Sequence, residues 1–147
     1  MKPETYRQLA FTFSLLGLLV AGYLLSTRIG TVPLVCGVSN WCEVVTTSRY
    51  AYIFGIPVAA YGVGFYLTML ILSLVLGRDT RVMPYMFGLS TAGFLFTGYL
   101  FSLQQYVIRA FCLWCISSAI IATLLFVMSL LAYRAMVKRA YGGKTVQ

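Results

Sequence analysis

Four stretches of this chain carry no charged side chain: Gln8 to Thr27, Pro57 to Gly77, Val82 to Ile108 and Ala110 to Tyr133. At about 1.5 Å of rise per residue, each is long enough as a helix to cross a hydrocarbon core of roughly 30 Å. A hydrophobic content of 61% against 10% charge lies outside the range of soluble domains. The expectation is an all-α membrane protein. It is a four-transmembrane-helix bundle forming one domain over residues 1–147, with spans near 8–27, 57–77, 82–108 and 110–133. Lys2 and Arg7 precede the first apolar run as they would in a signal peptide. That run, Leu9 to Leu25, exceeds the roughly 7–15 residues of a signal core, so it reads as an uncleaved span. The third span would be about 40 Å long if fully helical, so it must tilt or project at its Gln104-Gln105 end.

The net charge of +8 is distributed as a topology signal, not as a nucleic-acid-binding patch with interleaved aromatics. Eight of the eleven basic residues, Lys2, Arg7, Arg78, Arg81, Arg134, Lys138, Arg139 and Lys144, flank one side; Arg28, Arg49 and Arg109 flank the other. Positive residues mark the cytoplasmic side. Both termini are therefore expected in the cytoplasm of a multi-pass cell-membrane protein, with the long loop between helices 1 and 2, residues 28–56, outside. Within that loop, Glu43 to Tyr52 reads as a short interfacial helix with Tyr50, Tyr52 and Phe54 as anchors. Pro57 suits the first turn of the second span. Gly17, Ala21, Gly62, Gly88, Ala92 and Gly98 read as packing positions between helices.

All four cysteines fall at or near the outward face, where disulfides persist. Cys112 and Cys115 are spaced so that, on a helix, they share one face at disulfide range; Cys36 and Cys42 form a second pair in the loop. Cys112 in a first helical turn would gain thiolate stabilisation from unpaired N–H groups and the macrodipole, with Arg109 adding a cation. Cys115, a turn deeper, is placed to meet a lipid-soluble two-electron carrier. A quinone is the natural choice, its ring packing on Phe111 and Trp114. Other readings compete with this one. Static disulfides would suit an outward face, yet a bridge within one helix closes almost no loop and stabilises little. A four-cysteine zinc site is normally closed and soluble. Attached haem lacks its histidine, since the chain contains none. A small transporter usually needs an acid within the membrane, and Glu4, Glu43 and Asp79 all lie outside the spans. A structural membrane subunit would leave the cysteines unexplained. The expected set is thus a quinone and the lipid bilayer, with no metal, no haem and no nucleic acid.

Four motifs in order, Cys36-x5-Cys42-Glu43, Ser48-Arg49-Tyr50, Ile53-Phe54-Gly55-Ile56-Pro57 and Ala110-Phe111-Cys112-Leu113-Trp114-Cys115, resemble the vitamin K epoxide reductase (VKOR) family. The resemblance spans nearly the whole chain and is to the short prokaryotic type without a fused thioredoxin domain. The DsbB family, also four-spanning with two cysteine pairs, carries its CxxC in the first external loop instead. The resemblance implies a bundle around a quinone of the ubiquinone or menaquinone class. Cys112 and Cys115 would be the active-site dithiol, and Cys36 and Cys42 the shuttle pair. Cys115 would face the quinone, Cys112 would exchange with Cys42, and Cys36 would face a separate thioredoxin-like thiol oxidoreductase. Ser48, Tyr50 and Phe54 fall on pocket positions. Vertebrate members carry a tyrosine where this chain has Ala119, and an asparagine near Ala51, so epoxide reduction is not implied. The implied activity is quinone-dependent thiol-disulfide exchange supporting disulfide formation, with the reverse flow as a quinone or vitamin K epoxide reductase its alternative.

Overall fold

The computed structural model describes residues 3–31, 33–35 and 41–142. Among them are four helices long and apolar enough to cross a membrane. They are α1 (Pro3–Arg28), α3 (Val58–Val75), α4 (Met83–Ser102) and α5 (Leu113–Gly142); a short α2 (Trp41–Thr47) lies in the connection between the first two. The fold is an all-α bundle: α1 packs chiefly on α3 and also on α5, and α4 packs on α5. Lipid tails are as apolar as leucine, so helix association here depends on close fit and on interhelical hydrogen bonds. Gly17 provides the fit, because a Cβ there would run into the Tyr66 ring; Gly62 faces Ala21. Gly88 and Gly98, expected to pack, have open space around them, while Gly93 lies directly under the Phe65 ring. Among the described residues, interhelical hydrogen bonds join Ser90 to Ser129 between α4 and α5, and the Tyr66 hydroxyl to the Ser118 carbonyl, 2.8 Å, between α3 and α5.

The first helix starts earlier than expected, at Pro3, the third gives way to a π-turn after Ser102, and three further boundaries differ from the sequence expectation for local reasons. The loop helix ends at Thr47 instead of reaching Tyr52, because Ser48 is extended and a 3-10 turn follows at Arg49–Ala51. Next, β1 (Tyr52–Ile53) and β2 (Ile56–Pro57) form a two-residue hairpin. Its corner residues, Phe54 and Gly55, have φ of 52° and 79°. Positive φ at both corners is the geometry that matches strand twist. Pro57 thereby ends a strand and caps α3 from outside, instead of sitting in its first turn. Finally, α5 starts at Leu113, not Ala110, and continues past Tyr133 to Gly142, since its basic last turns extend into water without breaking the helix.

Candidate functional site

The thiol centre is built where α4 hands over to α5. After Ser102 the helix widens into a π-turn, Leu103–Ile108, closed by Arg109 in the left-handed region. Single π-turns within α-helices are frequent at functional sites. Here the extra residue brings Gln104 inward, where it is buried, and the Gln104 carbonyl accepts the N–H groups of Arg109 and Ala110. The Gln104 side chain completes the corner: its Oε1 accepts the Cys112 N–H at 3.1 Å. Sequence reading passed over Gln104 as the projecting end of a span. The available signal was an amide inside an otherwise apolar run, which demands a partner in a membrane.

Cys112 occupies the N-cap position of α5 instead of its first turn. Its carbonyl accepts the Ile116 N–H at 2.9 Å, and its Sγ accepts the Cys115 N–H at 3.4 Å. The sulfur thus takes the place that a serine or aspartate oxygen holds in ordinary caps. The side chain is fully buried. Its thiol is pushed well above the ordinary range, first by hydrogen bonding with the Cys115 thiol, then by burial and by repulsion from Cys115. The Cys115 N–H and the Cys42 thiol pull the other way without reversing it. The expected thiolate at Cys112 is therefore corrected: at the cap of a buried helix end, desolvation and a neighbouring thiol outweigh the helix N-terminus. Arg109 is exposed and is not among the groups acting on Cys112.

The loop delivers a third cysteine. α2 is short, but its Cys42 and Val45 are buried in one cluster with Ala110 and Cys112, against which Leu34, Ile108, Trp114 and Cys115 also pack. Thr46 braces this turn by donating to the Cys42 carbonyl at 2.7 Å. The start of the loop is tied down separately. The Tyr23 hydroxyl donates to the Pro33 carbonyl at 3.2 Å and accepts the Val35 N–H at 2.9 Å, while the Trp114 indole N–H donates to the Val35 carbonyl at 3.0 Å. The Tyr23 and Trp114 rings lie against each other, centroids 4.8 Å apart. Cys36, the next residue, lies outside the described residues. Cys42, Cys112 and Cys115 are free thiols.

Beneath the thiols is a cavity of about 320 Å³. Its walls come from all four long helices, including Ala21, Gly62, Phe65, Tyr66, Phe96 and Ala122, and its roof from the loop at Val45, Thr46 and Ser48. A few polar groups interrupt this apolar surface: Gln104, Ser118 with the Tyr66 hydroxyl, Thr97 and Arg28. A mainly apolar hollow of this size with few convergent polar groups is the usual form of a small-ligand site, and it suits a planar quinone ring. Of the residues singled out from the sequence, Cys115, Ser48, Tyr50 and Ala119 line it. Cys112 and Cys42 stand behind Cys115 and outside the lining. Phe54, Phe111 and Trp114 are also outside it. Phe54 is at the hairpin tip, 97% exposed; Phe111 turns outward against Phe101; and Trp114 is drawn aside by its hydrogen bond to Val35. Ser48 keeps its hydroxyl on the Val45 carbonyl at 2.8 Å.

A bundle of four helices long and apolar enough to cross a membrane, with three thiols clustered beside a mainly apolar cavity, has the build of a membrane oxidoreductase. The sequence model of the vitamin K epoxide reductase family matches residues 8–130, most of the 147-residue chain, and the chain belongs to that family. Its members are membrane oxidoreductases that work with quinone-type electron carriers.

Proposed function

We propose that this protein oxidises thiols outside the cytoplasm at the expense of a membrane quinone, through two cysteine pairs acting in series. One observation carries the reading: of the three clustered thiols, Cys115 alone lines the cavity, while Cys112 is enclosed between Cys115 and Cys42. That arrangement supports a division of labour. Cys115 exchanges electrons with a ubiquinone- or menaquinone-class ring held against Ser48, Tyr50 and Ala119. Cys112 exchanges with Cys42 on the loop. Cys36 completes the shuttle pair and faces a thioredoxin-like thiol oxidoreductase. Both termini are on the cytoplasmic side, as the charge distribution favours.

Each turnover moves two electrons and two protons. Cys112 and Cys115 lose their thiol hydrogens as the S–S bond forms, and the quinone becomes a quinol. The Cys42 thiolate then attacks the new disulfide at Cys112, releasing the Cys115 thiolate, and Cys36 attacks Cys42 to release Cys112. The disulfide now in the loop is reduced by the partner's dithiol. The upward push on Cys112 makes it a poor thiolate while reduced, which favours Cys115 as the group that meets the quinone first. The protein in detergent, mixed with a quinone and a reduced thioredoxin-like protein, is expected to form quinol. Cys112→Ala and Cys115→Ala should each abolish turnover, and unchanged turnover in both variants would sink the assignment.

A further inference from the structure

We infer that Gln104 is the residue that couples quinone occupancy to the position of Cys112. The inference rests on the proposed quinone reaction and deepens it. The orientation of the amide follows from its partner, because a backbone N–H can face only an acceptor. With Oε1 receiving the Cys112 N–H at 3.1 Å, the NH2 end must lie on the other side. Gln104 is 6% exposed and lines the cavity, and among the described residues its Nε2 has no hydrogen-bond partner. A buried amide with one end on the thiol helix and an unspent donor bordering an apolar hollow is matched to a carbonyl-bearing ring.

The chemistry gives this placement two effects. Nε2 donates to one quinone oxygen, and that bond strengthens as electrons arrive and the oxygen gains negative charge. Donation from Nε2 also polarises the amide and makes Oε1 a better acceptor. The Cys112 N–H is then held more firmly, and with it the cap of α5 that sets Cys112 beside Cys115. The π-turn Leu103–Ile108 is the device that makes this possible, since Gln104 within it is buried, borders the cavity and reaches the Cys112 N–H.

The test uses two variants of the full chain. Gln104→Glu keeps an acceptor for the Cys112 N–H and, once ionised, has no donor. Gln104→Met has neither. With a short-chain soluble quinone, the ratio of kcat/KM between Gln104→Glu and wild type is expected to fall about tenfold as pH rises through the titration of the new carboxyl, and to recover below it. Arg28, Tyr50, Tyr61, Tyr66 and Cys115 border the same cavity, Cys112 meets Gln104 through its N–H, and Cys42 and Glu43 lie on the α2 that packs on the π-turn. All are common to both proteins, so the ratio reads the substituted group together with its effect on Cys112, and the dithiothreitol step separates the two. Single-turnover reduction of the oxidised protein by dithiothreitol, which involves no quinone, should stay within twofold in Gln104→Glu and slow in Gln104→Met. A pH-independent ratio near one in Gln104→Glu, or equal losses in the quinone and dithiothreitol steps, would overturn the role of Gln104. If Gln104→Glu does not fold, an unchanged quinone kcat/KM in Gln104→Met overturns it alone. Failure of the wild type itself to reduce quinone would instead overturn the proposed function.

Discussion

In the half of the bundle that contains Tyr6, Ala10, Met69, Met83 and Met86, side chains close over one another, whereas the half beneath Cys112 and Cys115 keeps a cavity of about 320 Å³. The same four helices build both. The closed half is sealed by flexible methionines and by the Ser90–Ser129 hydrogen bond, and its connection from α3 to α4 is a short turn with Asp79 accepting the Arg81 N–H. The open half has a π-turn, a left-handed arginine and a roof made from a loop. Regular backbone and dense packing go with holding the bundle together, and irregular backbone with hollow space goes with the thiols. A void forfeits contacts on every wall that lines it. A mainly apolar hollow of this size beside Cys115 has the form of a small-ligand site.

Filling each half in turn breaks the comparison most directly. Ala119→Phe enters the cavity and should lower quinone kcat/KM by about tenfold or more with little change in thermal stability. Ala10→Phe, in the closed half, should cost about 1–3 kcal/mol of stability through overpacking and leave quinone KM as it was. Thermal unfolding in detergent beside quinone kinetics reads both, and equal behaviour of the two variants would erase the distinction.

A smaller effect concerns ionisation. With its pKa raised in the folded state, Cys112 stays protonated, so reduced-state stability is whole below the ordinary thiol range and declines as pH rises past it. Cys115→Ala removes the largest cause of the shift. The midpoint of Cys112 alkylation against pH should move down and the alkaline loss of stability should flatten; a midpoint that stays or rises contradicts this account of the thiol pair.

Smaller still is the tie between loop and helix. Trp114→Phe loses the hydrogen bond to Val35, worth about 0.5–1.5 kcal/mol. It should slow electron transfer from the thioredoxin-like partner a few-fold while leaving quinone KM unchanged, which separates Trp114 from the cavity walls. The least expected effect on activity is at Phe54. Phe54→Asn relieves a left-handed phenylalanine and should stabilise the hairpin by about 1 kcal/mol with quinone kinetics intact. A raised KM there would return Phe54 to the quinone pocket.

Hydropathy made the four spans legible because an uncharged run of twenty residues in a membrane has few options. It was blind to the start of α5, since Ala110, Phe111 and Cys112 are as apolar outside the helix as the residues within it. The π-turn left no mark in periodicity, and Gln104-Gln105 looked like an end instead of a corner. Shared location of the cysteines followed from span count and loop length, which is why Cys42 beside Cys112 and Cys115 was within reach of the sequence. The direction of Trp114 was not, because a carbonyl at Val35, 79 residues earlier, decides it. Phe54 looked like a pocket residue by motif alone; the hairpin's need for two positive φ angles puts it at the tip.

Cys112 is proposed to stand in the relay between the loop and the cavity-lining Cys115. Removing the loop's other cysteine with Cys36→Ala, oxidising the protein with quinone and mapping the peptides tests this directly. Among bridges that contain Cys42, the account predicts Cys42–Cys112; a bridge from Cys42 to Cys115, or none from Cys42 at all, would contradict it.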